Sequence, residues 1–466
     1  MNITTLTTVL FLSFTPLLHY AQCPNWNVVS FTNQQQIDNF LVSYPNCTEI
    51  DGDLLIYGSQ NNGSDITDLS PLSNLTNVTG RLHIEYNNNL LSLNGLNQIT
   101  HIGGKLNIQS CIQLIDLDGL SGLTSVGGNI YFYANHALSN IDGIKDLGSL
   151  PEDFIIRWNN SIVDFPSFKS IQSIDGTVWI DNNALLKNMN GFDSLEHVGG
   201  DLLITSNAEM DSIFAYPMLK TVGGNTEIYD NSSIDTLTGL DSLSEIGGYF
   251  MVHYNHSLED IGSLQNLKSI GGFLLISSNA ELRSLNGLDK LERIDGYLDI
   301  LDNNKITDLM GIRNIDPNSI SNSSGSYDLL IDGNSQLSDC AVQSICDFLL
   351  LPDKIMSIDY NKEGCNSEEE VLDACDPSHA DLEKLKEISI YPNPTQGQVS
   401  IDFNDTDPGL IYLNLTDLSG KLIKSWVRDI AEDKMKLTML EIPAGTYFLN
   451  LISNGQVWHY KILLLN

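Results

Sequence analysis

FLLISSNAELRSLNGLDKLERIDG, residues 273–296, decides the fold, because the chain repeats its pattern. Residues 81–104 read RLHIEYNNNLLSLNGLNQITHIGG, and residues 81–320 divide into ten consecutive 24-residue blocks without a gap. Apolar residues recur at block positions 2, 4, 10, 13, 16, 19 and 22. Positions 2 and 4 alternate with polar neighbours, the period of a short strand with one buried face. The later spacing of three suits an irregular return path around a column of apolar side chains. One such coil cannot bury its apolar side alone, so coils must stack. Gly closes the block at position 24 in eight of ten blocks and stands at position 15 in seven, which marks corners of positive φ or close approach.

Position 7 is the second signature. It is Asn in nine of ten blocks: Asn87, Asn135, Asn159, Asn183, Asn207, Asn231, Asn255, Asn279 and Asn303, with Cys111 in the second block. An amide offers both donor and acceptor, so a stack of them can bond backbone in adjacent turns and relay from coil to coil. Cys111 reads as a small buried thiol filling one rung. An earlier coil, residues 53–80, carries four extra residues, and a partial one runs from Asp328 past Asn334.

This pattern, xLxIxxNxxLxxLxGLxxLxxIGG, resembles the receptor L-domain type of leucine-rich repeat, of the kind found on Bacteroidetes surface proteins. The resemblance covers about residues 53–340 and implies a right-handed parallel β-helix or leucine-rich-type solenoid of 24-residue coils.

An open solenoid end must be covered. Thr32 with Gln35 predicts a capping-box start to a helix that ends near Tyr44 and Pro45, bracketed by Cys23 and Cys47. At the other end CAVQSICDFLL reads as a helix, KIMSIDY as a last strand and NSEEEVLDAC as a second helix. Four cysteines there allow three connectivities; two helices running the same way select Cys340–Cys365 with Cys346–Cys375, alongside Cys23–Cys47. Disulfide-linked helical caps suit an exported protein. The apolar run 9–18 followed by Ala21 reads as a signal peptide cleaved before Gln22.

After residue 376 the 24-residue period stops. Short strands separated by turns predict a small antiparallel β-sandwich. Tyr391, Pro392, Asn393 and Pro394 form an entry turn, with Gly397 opening the next strand. Asp417, Gly420 and Lys421 mark a hairpin, and Pro443, Ala444, Gly445 and Tyr447 lead into the penultimate strand. This combination resembles the type A C-terminal sorting domain of the type IX secretion system. The resemblance implies Sec export, passage through the outer membrane by the type IX machinery, and a cut near residues 377–388, with the mature chain anchored or released. The expected domains are therefore 1–21 signal peptide, 22–52 cap, 53–339 solenoid, 340–376 cap, 377–386 linker and 387–466 sorting domain.

Charge and motifs narrow the function. With 23 Lys and Arg against 59 Asp and Glu the net charge is −36, which excludes nucleic acid and disfavours anionic lipid. No later run reaches the ~18 apolar residues of a membrane span. Positions 1, 3 and 5 point outward, and two apolar clusters emerge there: Tyr131, Tyr133, Ile155, Trp179 and Leu203, then Tyr249, Met251, Phe273, Leu275 and Tyr297. They form a candidate face for an extracellular protein or glycan, although aromatic ladders also stabilise any stack. No enzyme, cofactor or metal is expected. Arg157 beside Asp181 reads as an ion pair rather than a catalytic pair, and His253 with His256 lacks the geometry of a zinc site. A polysaccharide-active β-helix enzyme and a structural surface-layer component are the rival readings.

Overall fold

The computed structural model describes residues 23–24, 26–168, 170–213, 216–322, 326–375, 389–402, 409–417, 421–430, 434–453 and 456–465. The expected signal peptide and linker lie outside these. The chain forms two compact units, Met1–Val371 and Leu372–Asn466, so the division falls inside the helix Glu368–Cys375.

The first unit is built on one 14-stranded parallel sheet whose strands follow chain order from Val28–Phe31 to Met356–Asp359. Through the repeat, partners lie 24 residues apart, as in Val178↔Leu202 and Leu202↔Thr226. The sequence period is therefore the register itself. Within a strand such as Leu106–Gln109 buried and half-buried residues alternate, because successive side chains leave opposite faces of the pleat. In the fifth block Val178, Ile180, Leu186, Met189, Phe192, Leu195 and Val198 are all sealed from solvent, each burial stabilising by roughly 1.5–3 kcal/mol.

The return path forms its own ladders of two-residue strands at positions 21 and 22. One sheet runs Glu49–Ile50 to Ser125–Val126, the other Ser173–Ile174 to Arg293–Ile294. They break at the third block, where Leu150 is followed by Pro151, which has no N–H to donate. Glycine corners serve two different needs. Gly191 has φ +133°, whereas a Cβ on Gly143 would lie 1.7 Å from the Leu117 carbonyl oxygen.

Position 6, just after the strand, is left-handed in every block. Tyr86, Ser110, Ala134, Trp158, Asn182, Ser206, Asp230, Tyr254, Ser278 and Asp302 all have φ between 52° and 58°. For residues other than glycine this costs about 1 kcal/mol or more each. What holds the turn is the Asn that follows. The Asn183 N–H donates to Asn207 Oδ1 at 3.1 Å, and Asn183 Nδ2 donates to the Ile156 carbonyl at 2.9 Å. The same pair of bonds repeats along the buried column. It runs on past Asn303 to Asn334 and Asn361, which the period alone did not reveal. Cys111 keeps half the pattern: its N–H donates to Asn135 Oδ1 at 3.0 Å, while burial pushes its thiol up to about 12.

The N-terminal segment differs from expectation in two ways. Val28–Phe31 is itself a rung, pairing with Asp53–Ile56, so it belongs to the sheet. The helix spans Gln34–Ser43 and its N-cap is Asn33, not Thr32: Asn33 Oδ1 accepts from the Gln36 N–H, and Gln36 Oε1 accepts from the Thr32 N–H. Asn outranks Thr as an N-cap and takes that role one residue later, while Gln36 reaches back to Thr32 instead of to the cap. Disulfides join Cys23 to Cys47 and Cys340 to Cys365, and Cys346 and Cys375 are also disulfide-bonded.

The second unit has two antiparallel sheets, one of three strands and one of four. Val399, Ile401, Leu413, Leu415, Leu437, Leu449, Leu451 and Ile462 meet in its core.

Candidate functional site

The outward face is a grid. Its position-3 column runs Tyr131, Ile155, Trp179, Leu203, Glu227, Met251, Leu275, Asp299 and then Leu330, each in register with the next. All are half-buried, neither sealed in the core nor standing free.

In the first cluster the Tyr131 and Tyr133 rings lie parallel at 5.9 Å. The Arg157 guanidinium sits 3.7 Å from the centre of the Trp179 ring, a cation–π stack. Its Nε and Nη2 both reach Asp181 Oδ2 at 2.9 Å. Asp181 Oδ1 accepts from Thr205 at 2.8 Å and from Asn182 Nδ2 at 3.0 Å. Every charge here has a partner.

In the second cluster Tyr249, Phe273 and Tyr297 form a column of three stacked rings, 4.6 and 4.3 Å apart and within 8° of parallel. Tyr249 donates to Glu227 at 3.2 Å; burial first, and then that carboxylate, push its pKa up to about 12. Met251 and Leu275 pack side by side in register. A single rung, that of Glu227, separates the two clusters, so they share one continuous surface.

The column ends at a feature that the sequence reading missed. A cavity of about 340 Å³ is lined by Tyr297, Asp299, Asn322, Ser326, Tyr327 and Leu330. Leu298 pairs with Leu329, 31 residues on instead of 24. The seven extra residues, 321–327, supply three of the lining positions. The insertion is visible in the sequence as an interruption of period; the cavity beside Tyr297 is not.

His253 is spent on packing. His253 Nδ1 lies 3.2 Å from the Ser277 carbonyl, its ring stacks on Tyr229, and burial lowers its pKa. Among the described residues no group of acids, histidines or cysteines is placed to hold a metal ion.

In the second unit the motif residues hold the sandwich together. Asn393 Oδ1 accepts from the Leu463 N–H at 2.9 Å and its Nδ2 donates to the Lys461 carbonyl at 2.6 Å, tying the entry turn to the last strand. Tyr391, itself paired with Ser400, precedes Pro392, and both Pro392 and Pro394 follow cis peptide bonds. Gly397 has φ +108°. The Lys421 N–H donates to Asp417 Oδ1 at 3.1 Å, closing the hairpin; Gly420 lies outside the described residues. Tyr447 donates to the Pro443 carbonyl at 2.8 Å across Ala444 and Gly445, where the strand Gly445–Ser453 starts.

Two families match this chain. Residues 76–186 match the receptor L domain, and residues 389–465 match the secretion system C-terminal sorting domain. No curated protein matches significantly. A sorting domain of the type IX system sends its carrier to the cell surface or the medium, and disulfides fit that destination. Among the described residues no helix is long and apolar enough to cross a membrane.

Proposed function

We propose that this chain, exported by its sorting domain and carrying a receptor L domain, captures an extracellular protein or glycan on the outward strand face of its array. The observation that carries the reading is the position-3 column. Large apolar side chains stay half-exposed on rung after rung of a regular sheet, where a solvent-facing strand would ordinarily place polar ones.

The same reading takes the array as a right-handed coil of 24-residue turns closed by helical caps, with Cys346 joined to Cys375. It assigns the face no catalysis: Arg157, stacked on the Trp179 ring, and Asp181 neutralise each other and offer no spare acid or base. The stacked rings and the Arg157–Trp179 pair favour a second role, that of cross-rung ties stabilising the stack.

A glycan and protein array probed with the secreted chain separates these roles. Binding is expected to fall by about tenfold or more in at least one of Tyr133→Ala, Trp179→Ala, Met251→Ala and Tyr297→Ala, with Tm held within about 2 °C. Four variants that capture as wild type but melt early would show that the face only stabilises.

A further inference from the structure

We propose that the cavity at the C-terminal end of the outward column is a binding site for one neutral pyranose ring of a glycan, stacked on Tyr297 and hydrogen-bonded to Asp299. The inference rests on the capture reading above and assigns it a place and a ligand class.

The ring column points to the site. Tyr297 is held on one side by Phe273 at 4.3 Å, so its orientation is fixed before any ligand arrives. Its other side faces the next rung, where the same column holds no ring. There position 1 is Asp328, whose carboxylate is already engaged with the Asn322 and Ile355 N–H groups at 2.5 and 2.9 Å. The stack of rings therefore stops at the cavity, and a flat apolar face would extend it.

Asp299 supplies the second requirement. Its in-register neighbours are Leu275 on one strand and Leu330 on the other. A carboxylate between two leucines loses water without gaining a cation, and burial alone raises its pKa to about 6. Such a group destabilises the empty fold and becomes favourable when a ligand donates to it.

The lining as a whole fits a sugar. Tyr297, Tyr327, Asp299 and Ser326 bear hydrogen-bonding groups, Asn322 Nδ2 is held by the Tyr327 carbonyl at 2.9 Å, and Leu330 is the one aliphatic residue among the described residues of the lining. A pyranose has the matching character: an apolar C–H face for an aromatic ring and hydroxyls around its edge. Its size also suits a cavity at the small end of the usual ligand range of roughly 300–1,000 Å³. An acidic sugar would meet Asp299 and a chain of net charge −36, so the ring is neutral.

The titratable groups facing Asp299 are Tyr297 beside it, Tyr327 from the insertion and, diagonally on the next strand, Asp332 and the already engaged Asp328; the strand Leu274–Ser277 contributes none. At neutral pH Asp299 is ionised and both its oxygens accept from hydroxyls; protonation removes the charge and turns one oxygen into a donor.

The test is titration of the full chain with gluco-, manno- and galacto-oligosaccharides. At least one series is expected to bind. Asp299→Asn and Tyr297→Ala should each weaken it by about tenfold or more, and Lys220→Ala, on the return path away from the outward face and ion-paired with Glu196, should leave it within about twofold. Lowering the pH from 7 to 5 should weaken wild type and leave Asp299→Asn flat. If both cavity variants bind as wild type while Trp179→Ala or Met251→Ala fails, the site is wrong and the capture face stands. A peptide ligand lost in Asp299→Asn, with no oligosaccharide bound, overturns the sugar. Capture of nothing on any array overturns both readings.

Discussion

The two halves of the outward face use the same residue types to opposite ends. Around Trp179 the groups close on one another: ring under guanidinium, guanidinium on carboxylate, carboxylate on hydroxyl. Around Tyr297 the groups are ordered but left open, with a ring stacked on one side only and a carboxyl set between leucines. Aromatic content alone therefore does not mark a binding surface on a solenoid. The sharper sign is a rigid group whose interactions stop short.

The contrast can be broken by removing the keystone of each half. Asp181→Ala takes the carboxylate partner from Arg157 and an acceptor from Thr205. We expect a loss of about 3 kcal/mol, read by urea unfolding, with glycan binding at the Tyr297 cavity unchanged. Asp299→Leu should act in the other sense, adding about 1 kcal/mol of stability at neutral pH, a figure discounted for partial exposure, while ending glycan binding.

The same carboxyl gives the array a pH signature. Its pKa is about 6 in the folded chain against about 4 unfolded, so the folded state holds the proton more tightly. The stability it contributes is full below about pH 4 and is lost as pH rises through about 6. Melting curves across that window should show wild type losing stability with rising pH relative to Asp299→Asn; parallel curves would remove the buried carboxyl from the account. Smaller effects sharpen the comparison further. Arg157→Lys loses the planar stack on Trp179 and should cost about 1 kcal/mol. Phe273→Leu frees Tyr297 from its support and should cost about 0.5 kcal/mol, with weaker binding as the larger consequence.

Much of this architecture was legible because a constant period is a register. Once residues 24 apart align, the columns at positions 3 and 7 follow by counting. What escaped had no period to carry it. Val28–Phe31 joins the sheet without a repeat of its own. Asn361 extends the amide column from beyond a helix. The left-handed turn at position 6 holds Tyr, Trp, Ala, Ser, Asn and Asp, so no glycine announces it. Its cause lies in the hydrogen bonds of the next residue. The cavity depends on where Asn322, Ser326 and Tyr327 come to lie beside Tyr297 and Asp299, which composition does not encode.

The amide seam has a genetic corollary. Each Asn hands its bond to a residue of the same kind one repeat later, so no junction in the series from Asn135 to Asn303 is unique. In-frame loss or duplication of a whole repeat, such as residues 201–224, rejoins equivalent ends. Unequal crossing-over can thus lengthen or shorten the reach of this surface protein while leaving both termini, and the chamber beside the last repeat, as they were.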